Sequence, residues 1–208
     1  MVFSSLTFLY LFLPLSLLFH YSTKNDLFRN IFLTIFSLVF YAWAEPMWIF
    51  LMVFTALFDY STGLYIEKKR GTPWAKVGLI ASIVVNIGLL VAYKYGGFIY
   101  DNLNYLFPLP FDRPQNSLPV GISFYTFMVI SYVVDIYRGE IKAQRNPLNF
   151  LMFISLFQHL VAGPIVRYSQ ISEQVEKRTI DWSRMSDGVT RFCIGLFKKV
   201  AIANVAGV

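Results

Sequence analysis

The sequence predicts an all-α fold: a polytopic transmembrane helical bundle with re-entrant structure and an amphipathic helix near its C-terminal end. Three observations carry this. Of 208 residues, 56% are hydrophobic and 14% charged, where soluble domains carry roughly a quarter charged residues. The charges gather in short connectors, as expected when a charge is costly to place in hydrocarbon. The stretches between connectors approach the roughly 20 apolar residues that a spanning helix needs.

Residues 3–21 form the first expected span, kinked but not ended by Pro14. The start, Met1-Val2-Phe3-Ser4-Ser5, lacks a basic n-region and a small-residue cleavage site, so a permanent helix is expected rather than a signal peptide. A connector with Lys24, Asp26 and Arg29 leads to residues 27–44, which end in Tyr41 and Trp43 at an interface. Glu45-Pro46 turns the chain, and Pro46 suits the first turn of a third span over residues 46–66. After Glu67-Lys68-Lys69-Arg70-Gly71, Thr72 is placed to cap a fourth span over 73–98 that opens on Pro73. Asp101 to Ser117 reads as a long loop. Residues 118–137 are apolar again and end at a polar loop from Arg138 to Arg145. Asn146-Pro147 then starts a segment over 147–163, which Gly163-Pro164 should stop.

In the last stretch, about 181–203, Met185, Val189, Phe192, Leu196 and Val200 share one stripe at spacings of three and four. Arg184, Asp187, Arg191 and Lys198 take the other face, with Asp181 as N-cap. This is the pattern of a basic amphipathic helix in a headgroup layer. A core helix with one solvated face is the alternative.

Lys and Arg set the orientation. Lys24 and Arg29, then Lys68, Lys69, Arg70 and Lys76, then Arg138, Lys142 and Arg145 lie in the odd connectors. The odd connectors are therefore expected on the cytoplasmic side and the N-terminus outside. Parity then fails, because the chain after Gly163 carries Arg167, Lys177, Arg178, Arg184 and Arg191. Either 118–137 or 147–163 does not cross fully, or the basic tail lies along an interface. A re-entrant segment is the favoured expectation, since Pro119, Gly121, Gly163 and Pro164 flank the two stretches.

Composition excludes several function classes. The net charge of +6 sits in connectors, so the membrane rule accounts for it and no nucleic-acid partner is expected. Cys193 is the only cysteine, which excludes an intrachain disulfide. His20 and His159 are the only histidines, neither beside a carboxylate at ligand spacing, so no metal is expected. Neither a nucleophile elbow nor a phosphate loop is present. Asp59, inside an apolar run, is either a functional group at membrane depth or the partner of a nearby cation. Asp135 and Arg138, three residues apart, could pair on one helix face. His159 is a weak candidate base, with an ordinary pKa suited to that task but no visible partner.

The block Leu118-Pro119-Val120-Gly121-Ile122-Ser123-Phe124-Tyr125-Thr126-Phe127, the stretch Ser131 to Gly139 and Leu160-Val161-Ala162-Gly163-Pro164-Ile165-Val166-Arg167-Tyr168 resemble the membrane-bound O-acyltransferase family, in its bacterial alginate O-acetyltransferase-like branch. The resemblance covers the chain in order. It implies transfer of an acyl group from a cytoplasmic thioester donor, such as acetyl-CoA, toward an extracellular polysaccharide such as alginate. It implies no bound cofactor, a bacterial inner-membrane location, and membrane or periplasmic partner proteins for polysaccharide acetylation. The motif or channel positions it marks are Pro119, Gly121, Ser123, Phe124, Tyr125, Asp135, Arg138, Gln158, His159, Gly163, Pro164 and Arg167. It also implies that the chain matches an N-terminal half, with the family's catalytic histidine expected beyond Val208, so that role is not carried to His159. A non-catalytic membrane subunit and a transporter-like protein are the alternatives.

Overall fold

The computed structural model describes residues 3–107, 110, 112–113, 118–161, 163–178 and 181–206. Among the described residues all regular structure is helical. The helices are α1 (Phe8–Ser22), α2 (Asp26–Ala44), α3 (Ile49–Lys68), α4 (Pro73–Leu106), α5 (Ile122–Arg138), α6 (Pro147–Ser155), α7 (Phe157–Leu160), α8 (Tyr168–Glu176) and α9 (Trp182–Phe197, running on through Lys198–Ala203 and Asn204–Ala206). Helices α2, α3 and α4 are each long and apolar enough to cross a membrane. The protein is an all-α polytopic membrane protein.

Caps written in the sequence set several helix starts. The Asn25, Asn146 and Asp181 side chains accept from the amides of Leu27, Leu148 and Ser183, each at 2.9 Å. Thr72 stands at its predicted cap position, but its hydroxyl donates to Lys69 O at 2.6 Å instead of capping α4. Pro46 lies in the turn ahead of α3 and not in its first turn. Ahead of Pro14, Phe8–Phe12 adopt a wider π turn, and the helix continues through the proline. The fourth helix does not end near residue 98. It passes a π turn over Val91–Tyr95 and continues to Leu106, taking in the first residues of the expected loop. Part of that loop (residues 108, 109, 111 and 114–117) lies outside the described residues.

Helix α5 is the centre, packed against α3, α4, α6 and α8. Tyr132 at its middle has no exposed surface, with Phe150 at 4.4 Å and Tyr168 at 5.3 Å between ring centroids. A second cluster joins Phe8 and Phe12 of α1, Phe40 of α2 and Phe157 of α7. Tyr41, expected at an interface, is buried in the core, while Trp43 is exposed as expected. Many large apolar side chains face outward, Tyr10 and Phe50 among them, as lipid-solvated helices require. Among the described residues no side chain of α9 within Trp182–Phe197 is buried.

The connectors rich in Lys and Arg meet at one end. Tyr60 Oη donates to Arg145 O at 2.7 Å, Arg145 pairs with Glu67 at 2.6 Å, and Arg70 donates to Ile136 O at 2.7 Å. The chain after residue 167 returns to that same end. Gln144 Nε2 donates to Tyr168 Oη at 2.6 Å, and Asn30 Nδ2 donates to Asn149 Oδ1 and Val175 O, both at 2.9 Å. Residues 147–167 therefore leave this end and come back to it. The expected helix over 147–163 is instead α6, a break at Leu156, the four-residue α7, and a non-helical return. By contrast α5, about 25 Å long from its 17 residues, runs in one direction from Gly121 to the basic end. Of the two segments in question, 147–163 is the one that turns back in the structure.

Candidate functional site

The first and last of the three sequence blocks, those holding Gly121 and Leu160, meet at the tip of this hairpin. Leu156 has ψ near 113°, which ends α6. An unbroken helix would bond the Phe157 amide to Phe153 O, four residues back. Here the Phe157 amide donates to Ser37 Oγ of α2 at 3.3 Å, and Phe153 O lies 2.9 Å from His159 Nε2. A carbonyl oxygen only accepts, so Nε2 carries the proton and donates. Ser37 and His159 thus take up the amide and the carbonyl that an unbroken helix would have joined between Phe157 and Phe153.

The tip rests on the start of α5. Gly121 has φ of 77°, and a Cβ placed on it would lie 2.7 Å from Leu160 O. Only glycine meets both conditions. Pro119 is buried beside it, and its carbonyl accepts from the Ile122 amide at 3.2 Å. Ser123, half-buried, receives Lys94 Nζ at 3.3 Å. Phe124 is half-buried, and Tyr125 is 1% exposed with its hydroxyl unpartnered among the described residues, as is that of Tyr41.

The remaining marked positions do not join this cluster. Asp135 is buried near the other end of α5, with Oδ2 unpartnered among the described residues. Arg138 does not pair with it; the guanidinium turns outward to Glu140 at 3.7 Å. Helix α5 ends at Arg138, just before the αL residue Gly139, and the Arg138 side chain lies exposed at this end while Asp135 is buried. Gly163 and Pro164 are exposed in the return segment, and exposed Arg167 precedes α8, its amide bonded to Gln170 Oε1 at 3.2 Å. Burial holds the Tyr168 phenol above its ordinary range, with Glu176 adding to this and the Gln144 hydrogen bond opposing it.

Asp59 has no cation partner among the described residues. It is fully buried between α3 and α4, accepting from Ser82 Oγ at 2.5 Å and Asn86 Nδ2 at 2.8 Å. The sequence reading missed Ser82, Asn86 and Ser37. A polar residue at helical spacing on an apolar face was the available signal.

Gln158, unlike buried His159, is exposed and faces a cleft of about 450 Å³ along α1. Phe8, Leu13 and Leu17 form one wall, and Phe157 and Phe192 approach from α7 and α9. His20 and Tyr21 also border a second, polar cavity of about 300 Å³ that Arg178 and Arg184 line. The geometry offers a shaped apolar cleft beside the hairpin tip. His159 Nε2, committed to Phe153 O, is not available there as a base.

The fold defines a polytopic helical membrane protein. The chain is similar to the probable alginate O-acetylase AlgI of Pseudomonas aeruginosa, 40% identical over 98% of this chain and 40% of that protein. The protein of the same name from Azotobacter vinelandii is also 40% identical, over 98% and 42%. A peptidoglycan O-acetyltransferase of Helicobacter pylori is 29% identical over 98% and 45%. The chain thus spans about two fifths of the length of these relatives. No family model and no solved structure matches it.

Proposed function

We propose that this chain is a module of a membrane-bound O-acetyltransferase that passes an acetyl group from a cytoplasmic thioester donor, acetyl-CoA, toward an extracellular polysaccharide of the alginate type. The observation that carries the reading is the 40% identity to an alginate O-acetylase over nearly the whole chain. The fold is compatible with it. A hairpin that enters the bundle and returns, beside an apolar cleft, gives irregular backbone covered by protein, the condition for such structure at membrane depth. In this reading the membrane is the bacterial inner membrane, the basic end faces the cytoplasm, and partner proteins carry the acetyl group onward. His159 positions the hairpin, and the base on the acceptor hydroxyl comes from elsewhere in the enzyme.

A chimera tests this. This chain replaces the matching stretch of the Pseudomonas relative in cells lacking their own enzyme, and ester-bound acetate on alginate is measured. Acetylation is expected with the chimera and absent with this chain alone. A chimera that reaches the membrane, resists proteolysis and leaves alginate unacetylated would count against the reading. The Helicobacter relative supports a second acceptor, peptidoglycan, and ester-bound acetate on isolated cell walls separates the two.

A further inference from the structure

The cleft along α1 and the cavity at its mouth differ in chemistry. Phe8, Leu13 and Leu17 face the cleft from α1, and these positions with Tyr21 extend over about 20 Å of helix. The cleft is half-open, and Leu17 and Leu18 beside it are exposed on the outer surface of the bundle. Phe192, on the apolar stripe of α9, closes the opposite side. At the mouth the charges are uneven. Arg29 pairs with Asp26 at 3.2 Å, and Arg184 pairs with Asp181 at 3.5 Å. Arg178 has no carboxylate within ion-pair distance among the described residues. Its Nε donates to Gln174 O at 3.1 Å, its Nη2 meets Met152 Sδ at 3.4 Å, and its Nη1 is buried without a partner.

A guanidinium has five donors arranged to meet a carboxylate or phosphate. Arg178 lines the polar cavity, and a guanidinium there with no carboxylate partner among the described residues is suited to receive an anion. Burial lowers its pKa, Asp26 opposes that and Arg29 adds to it, yet a guanidinium stays charged throughout the physiological range. The site therefore offers a long apolar slot ending in a cation at one end of the bundle, where an amphipathic helix lies across it. We propose that this cleft holds an anionic phospholipid, one acyl chain along α1 and the phosphate against Arg178. The proposal needs the membrane reading but not acyl transfer, so the alginate chimera can fail without touching it.

The test uses the full chain in detergent, titrated with phosphatidylglycerol or phosphatidylcholine, and reads native mass spectra and thermal unfolding. Phosphatidylglycerol should stay bound and raise the unfolding temperature more than phosphatidylcholine does. Arg178→Gln should weaken phosphatidylglycerol retention about tenfold, the scale of one lost charge-assisted hydrogen bond, while Arg178→Lys keeps most of it. Leu17→Trp, which fills the apolar slot and leaves Arg178 in place, should expel the lipid. Equal retention of both lipids overturns the proposal. So does an unchanged preference in Arg178→Gln or Leu17→Trp. Displacement of bound phosphatidylglycerol by soluble coenzyme A thioester or pyrophosphate also overturns it, because the phosphate would then come from a soluble donor.

Discussion

Gly121 sits where a backbone turn and a close approach coincide. Its positive φ alone would cost another residue on the order of 1–2 kcal/mol. Its Cβ would also meet a backbone oxygen at 2.7 Å, and a carbonyl cannot swing aside as a flexible side chain can. Gly121→Ala should therefore lower stability by about 2–4 kcal/mol, read as a shift in the denaturant midpoint of detergent-solubilised protein. Gly163 is the control: φ is 121°, but nothing lies within 4 Å of its Cβ position. Gly163→Ala should lose the conformational part alone, and equal losses at the two positions would contradict the packing of the α5 start on the hairpin tip. The Pro119-Val120-Gly121 block was conspicuous in the sequence. Which carbonyl it meets was not, because Leu160 lies 39 positions away and nothing local records the approach.

At the scale of the element, the hairpin shows how side chains re-partner backbone groups that a helix break sets free. The break carries an ordinary leucine, so neither proline nor glycine announces it. What permits it is that Ser37 receives the Phe157 amide and His159 occupies the Phe153 carbonyl. Net hydrogen bonds between membrane helices contribute only about 0.6 kcal/mol on average. Orphaning a buried backbone group costs more, on the order of 1–3 kcal/mol, and that second effect should dominate here. His159→Leu and Ser37→Ala should each cost roughly that much and speed amide exchange at Phe157 to Leu160, with α2 and α5 unaffected. If His159→Leu leaves exchange unchanged, the histidine is not holding the break. Elements with local signals were legible: the caps expected at Asn146 and Asp181 rest on contacts two residues long, although Asn25 was not foreseen as a cap and Thr72 does not act as one. The π turns over Phe8–Phe12 and Val91–Tyr95 and the continuation of α4 to Leu106 were not, because apolar periodicity fixes a face and not a hydrogen-bond register.

For the whole molecule, the main consequence is topological. Residues 138–149 and 167–178 share one end of the bundle, so an impermeant thiol reagent should reach cysteines placed at Glu140 and Lys177 from the same side of sealed vesicles. A cysteine at Leu106, at the far end of α4, should react from the opposite side. Cys193 is first replaced by serine, since it is exposed and would react itself. Labelling of Glu140→Cys and Lys177→Cys from opposite sides would mean that 147–163 crosses after all. The sequence by itself determined the helical, membrane character of this protein, because burying charge in hydrocarbon is costly enough to write itself into composition and spacing; of the six spans it led us to expect, three are helices long and apolar enough to cross a membrane. It also marked the blocks in which a resemblance to O-acyltransferases can be read. Only the tertiary structure decided which apolar segment turns back, what Asp59 and His159 hold, and that the first and last of those blocks touch. Each of those depends on a backbone or polar group finding a partner far along the chain, and such a contact leaves no periodicity for the sequence to show.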